Sequence, residues 1–89
     1  ARLAAYRAEP ARHARHAAKV IVKYHLMEER RLPHAELRRW AVAAPLMQRL
    51  WAGFGQSQTP TVEAWVDRFV RELADAGALA IEGEDVLDR

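Results

Sequence analysis

Eighty-nine residues allow one compact hydrophobic core and leave no room for a second. The absence of cysteine excludes disulfides, cysteine-based zinc sites and thiol catalysis. The net charge of +2 conceals an uneven split: residues 1–40 hold ten Lys/Arg against four Asp/Glu, whereas residues 41–89 hold four against eight. Such asymmetry predicts either a surface that meets an anionic partner or two halves that neutralise each other.

In chain order, residues 1–10 are Ala/Arg-rich with Leu3 and Tyr6, and are expected to form an N-terminal arm or frayed helix ahead of a single domain over residues 11–89. Pro10 suits the first position of a helix, so a long helix is predicted from about Glu9–Ala11 to Arg31, where Leu32–Pro33 stops it. At about 100° per residue, Ala14, Ala17, Ala18, Ile21 and Tyr24 share one face. Arg12, Arg15, Lys19, Lys23 and Arg30 fall within an arc of about 80° on the other side. This stripe holds both lysines of the chain and is the candidate binding surface for a protein partner or nucleic acid.

A second helix is expected over about His34–Ala44 with Leu37, Trp40 and Ala41 inward, and Pro45 then bends or restarts the helix. Leu46, Met47, Leu50, Trp51 and Phe54 continue the apolar pattern as a short third helix, and GFGQSQT reads as a loop. The fourth helix has the best signals. Thr59 or Thr61 caps it, Val62, Val66, Phe69, Val70 and Leu73 share a face with Trp65 at its edge, and Gly77 stops it. Leu79–Ile81 and Val86–Leu87 then form a hairpin around the EGED turn. Ile21, Leu37, Trp40, Leu50, Val66, Phe69 and Leu73 are the predicted core. The fold class is therefore mainly α with a small C-terminal β-hairpin.

Catalytic and ligand chemistry is sparse. The lone G-x-G lacks the lysine of a phosphate loop, and Ser57 has no activating neighbours. His13 and His16 are three apart on a helix but have no third ligand at metal spacing and sit beside arginines. His25 reads as a partly buried, hydrogen-bonded histidine and His34 as part of a helix start. The carboxylate clusters at Glu28–Glu29 and in the hairpin turn are solvated positions, not the dry pocket that acid–base work requires. No enzyme, cofactor or metal site is expected. No apolar run approaches the roughly 18 residues of a membrane span. The expected location is cytoplasmic, and a start without methionine suggests a piece of a larger protein.

RLPHAEL resembles the start of a second helix in helix-turn-helix proteins, and VDRFVRELADAGAL followed by AIEGEDVLDR resembles a third helix plus wing. Over roughly residues 17–89 the chain thus resembles the winged-helix superfamily, with the segment from Ala43 to Gln58 longer than the usual tight turn. In DNA-binding members, the resemblance implies, the helix over residues 61–76 would enter the major groove. Its exposed face carries Glu63, Asp67, Arg68, Arg71, Glu72 and Asp75, with Asp67–Arg71 and Arg71–Asp75 spaced to pair locally, and the wing adds Glu82, Glu84 and Asp85. That charge opposes phosphate. The expectation is a non-catalytic protein-interaction or dimerisation module with an exposed tryptophan as anchor; the alternative is a DNA-binding domain that uses Arg12, Arg15, Lys19, Lys23 and Arg30.

Overall fold

The computed structural model describes residues 10–89, so the expected arm lies outside the described residues except for Pro10. The elements are α1 (Pro10–Glu29), β1 (Arg31–Pro33), α2 (His34–Ala43), α3 (Pro45–Leu50), a π-helical turn (Trp51–Gly55), α4 (Val62–Asp75), β2 (Leu79–Glu82) and β3 (Asp85–Asp88). The chain is mainly helical with a C-terminal antiparallel hairpin, as the periodicities indicate.

Each boundary has a local cause. α1 ends at Glu29, two residues short of the expected Arg31, because Arg30 takes a left-handed φ of 69° while its amide still donates to the Leu26 carbonyl at 2.7 Å. A side chain in that region costs about 1–2 kcal/mol, so the turn is held by its surroundings. Leu32–Pro33 does more than stop a helix: it forms β1, a third strand that the sequence reading did not foresee. β1 pairs with β3, placing Leu32 opposite Val86, and β3 pairs with β2, giving the order β1-β3-β2. The Asp88 amide donates to Arg30 at 2.8 Å and the His34 amide to Glu84 at 2.7 Å, which locks both ends of β1 to the hairpin. A three-residue strand is too short for any alternation to be seen.

Pro45 restarts the helix at the first position of α3, after an extended Ala44. The stretch expected to be a loop begins as helix: the Gln56 amide donates to the Trp51 carbonyl at 3.0 Å, one residue beyond α spacing. α4 is capped by the Thr61 hydroxyl, which accepts from the Ala64 amide at 3.1 Å. It ends at Gly77, φ 79°, where the Ala78 and Gly77 amides return to Leu73 and Ala74 in the paired pattern of a Schellman stop.

The core gathers Leu26, Leu37, Met47, Trp65, Val66, Phe69, Val70, Leu79 and Val86, all buried. Of the predicted core, Leu37, Val66 and Phe69 are buried, while Ile21, Leu50 and Leu73 pack against it from the margin. Two tryptophans exchange places relative to expectation. Trp65, expected at the edge, is fully buried edge-to-face on Phe69 with ring centroids 4.6 Å apart. Trp40, expected inside, is 39% exposed and stacks flat on His25 at 3.7 Å.

α1 also departs from its predicted orientation. It buries Ala14, Ala18, Val22 and Leu26, while Tyr24 is 62% exposed. The inward face is thus turned by about 80° from the predicted one. Residues 20–27 are apolar on nearly every side of the helix, so periodicity alone has no unique answer there. The row Ala14, Ala18, Val22 and Leu26 enters the core, which buries the wholly aliphatic Val22 and Leu26 and leaves Tyr24, with its polar hydroxyl, at the surface.

Candidate functional site

The turn of α1 changes what the basic stripe is. With the buried row at Ala14–Leu26, the stripe borders the core instead of opposing it, and its middle faces the acidic half of the chain. Lys19 Nζ lies 2.8 Å from Glu72 Oε1 on α4. Lys23 donates to the Asp88 carboxylate at the end of β3 and to the backbone carbonyls of Ala78 and Arg89. Arg15 is half-buried on the same side, Arg12 is exposed one turn earlier, and Arg30 occupies the left-handed turn after the helix. The five residues are placed as one run, but its two lysines are engaged within the molecule.

Glu72 is the hub. Partial burial pushes its carboxyl up, but the hydrogen bond from Lys19 and the charges of Lys19, Arg15 and Arg68 outweigh this and hold it below its ordinary value. Asp88 is also held low, first by the hydrogen bond from Lys23, against desolvation, with help from Arg30 and the Arg89 amide. Both carboxyls are thus more acidic when folded, so their contribution is complete above the unfolded-state value and is lost as pH falls through the lower folded-state value. The melting temperature is therefore expected to fall as pH drops below about 4. A Glu72→Gln, Asp88→Asn double variant should start lower at neutral pH and fall less steeply. An equally steep fall in thermal melts of that variant would locate the acid sensitivity elsewhere.

The acidic face of α4 is engaged as well, though not as its local spacing suggests. Asp67 does not turn to Arg71; its Oδ1 accepts from Arg38 Nε at 2.8 Å and faces His34 Nε2 at 3.2 Å, tying α4 to α2. Arg68 faces Glu72 Oε2 at 3.5 Å, one helical turn on. In the wing, Arg31 donates to Asp85 at 2.8 Å, bridging β1 and β3. Arg38 and Asp67 were missed as partners because they lie 29 residues apart, and no local pattern joins them.

Other surfaces are apolar or aromatic. Tyr24 and Met27 project from α1, and Trp40 with His25 forms one wall of a shallow groove that Leu32, Glu36 and Arg39 complete. His25 was expected to be hydrogen-bonded; its observed contact is the ring stack. Among the described residues, no group of three or more His, Asp or Glu side chains is gathered as metal ligands, and no helix is long and apolar enough to cross a membrane. Set against known proteins, the chain matches no family model, no curated protein and no solved structure.

Proposed function

We propose that this is a winged-helix-like, non-catalytic protein-interaction or dimerisation module. The order helix, strand, two-part helical segment, helix and hairpin, with the first short strand on the outer side of the hairpin, supports the superfamily reading. α3 and the π-helical turn are an elaboration where the usual fold has a tight turn.

The observation that carries the function is the engagement of the basic stripe. Lys19 and Lys23 are held by Glu72 and Asp88, so the strongest cationic feature of the sequence serves largely to join α1 to α4 and the hairpin. Meanwhile α4 presents Glu63 and Asp75, and the wing Glu82 and Glu84, where DNA docking would need attraction. Large apolar side chains remain on the outside and suit contact with another protein.

The nucleic-acid reading has one observation in its favour: Arg15, Lys19 and Arg68 surround a single carboxylate, a local excess of cations. Titration of labelled duplex and single-stranded DNA at low salt separates the two. Weak binding or none, unaffected by Arg12→Glu and Arg15→Glu, is expected. Tight binding with a steep salt dependence that those changes abolish would overturn the interaction module in favour of nucleic acid.

A further inference from the structure

Two residues of α1 and two of α2 line one shallow groove. His25 and Glu29 stand one helical turn apart on α1, and Glu36 and Trp40 one turn apart on α2. Leu32 of β1, the strand that joins the two helices, is half-buried and adds to the lining. His25 lies flat against Trp40, with ring centroids 3.7 Å apart and an interplanar angle of 2°. The imidazole covers one face of the indole, so the 39% of Trp40 that stays exposed belongs to the other face and the ring edge.

The charges of the groove decide what can occupy it. Glu29 and Glu36 are exposed, and among the described residues neither carboxylate takes part in a hydrogen bond or ion pair. An apolar side chain laid over Trp40 would strip water from both carboxylates without replacing it, and an anion would be repelled by them. A cation satisfies both and gains the attraction of the indole face. Arginine suits the groove better than lysine, because its planar guanidinium stacks on an aromatic ring and offers a fork of N–H donors to a carboxylate. Arg39 also lines the groove, but it sits about 100° round α2 from Trp40, against about 40° for Glu36. One guanidinium against two carboxylates leaves the groove negative, and Arg39 gives an acidic neighbour of the incoming arginine its own place.

Resting on the interaction-module reading, we propose that the groove between α1 and α2 docks an arginine side chain of a partner protein. The guanidinium stacks on the open face of Trp40 and donates to Glu36 and Glu29. His25 holds the indole in place before the partner arrives, which lowers the entropy lost on binding. Trp40 supplies the anchor, and the two carboxylates supply the selectivity for a cation.

Titration with the peptide acetyl-Gly-Arg-Gly-amide at low salt, followed by NMR, tests this. The reporter is the indole N–H signal of Trp40, identified by its loss in Trp40→Phe. A saturable shift at millimolar peptide is expected, and none with the same peptide carrying neutral citrulline in place of arginine. The Glu29→Gln, Glu36→Gln double variant should weaken binding at least about fivefold, whereas Glu82→Gln, an exposed carboxylate on the wing, leaves it unchanged. Arg39→Gln removes the competing cation and should tighten binding of this peptide. Circular dichroism of each variant checks that the fold is intact. No saturable shift, an equal response to the citrulline peptide, binding indifferent to the double variant, or weaker binding by Arg39→Gln would overturn the proposal. A silent arginine peptide without DNA binding defeats only this docking site, whereas stripe-dependent DNA binding defeats the interaction-module reading on which it rests.

Discussion

Replacing Phe69 with alanine is expected to remove about 3–5 kcal/mol of folding stability. Phe69 is fully buried at the centre of α4 and takes the edge-to-face contact with Trp65. Its loss removes the transfer free energy of a large side chain and leaves a space that its neighbours cannot refill. Trp65 is itself enclosed, and α4 is fixed at both ends by the Thr61 cap and the Gly77 stop. A small domain has only about 5–15 kcal/mol of stability in total, so this one change consumes a large share of it. Chemical denaturation followed by tryptophan fluorescence measures the loss. A change below about 1 kcal/mol would mean that the buried face of α4 is misplaced.

Gly55→Ala is expected to cost about 2 kcal/mol net. A Cβ at this position would stand 2.6 Å from Trp51 Cδ1 and 2.8 Å from Trp65 Cε2, well inside contact distance. Neither ring yields easily: Trp65 is fully enclosed, and Trp51 is held by its Nε1–H donating to Thr59 Oγ1 at 3.2 Å. Overpacking of this kind typically costs about 1–3 kcal/mol. Alanine's better helix propensity works the other way by about 1 kcal/mol, and two rigid neighbours put the clash at or above the top of its range. Denaturant midpoints compare the variant with Gly53→Ala, where an added Cβ meets nothing within 4 Å. Equal stability for the two variants would show that the π-helical turn opens without cost.

These two residues mark the range of what was legible in the sequence. Phe69 stands in a helix whose cap, apolar row and glycine stop agree, so its burial follows from local pattern and tertiary packing only confirms it. Gly55 reads as part of a flexible Gly-rich connection, because the two indoles that require a glycine there are brought together only by the fold. The candidate site divides in the same way. The stripe Arg12, Arg15, Lys19, Lys23 and Arg30 is visible as a run of charge, but whether it faces solvent depends on which side of α1 enters the core.

The sequence by itself determined the mainly helical class, the breaks at Pro33 and Pro45, the extent of α4 and the C-terminal hairpin, because each rests on residues within a few positions of one another. Only the tertiary structure decided the rotation of α1, the exchange of Trp40 and Trp65 between surface and core, the third strand β1, and the pairing of Lys19 and Lys23 with Glu72 and Asp88. The physical reason is that a helical segment such as residues 20–27, apolar on nearly every side, a three-residue strand and a charge whose partner lies more than fifty residues away have no local pattern to reveal them. Their positions depend on tertiary contacts: the packing of Val22 and Leu26 into the core, the pairing of β1 with β3, and the pairing of Lys19 and Lys23 with Glu72 and Asp88.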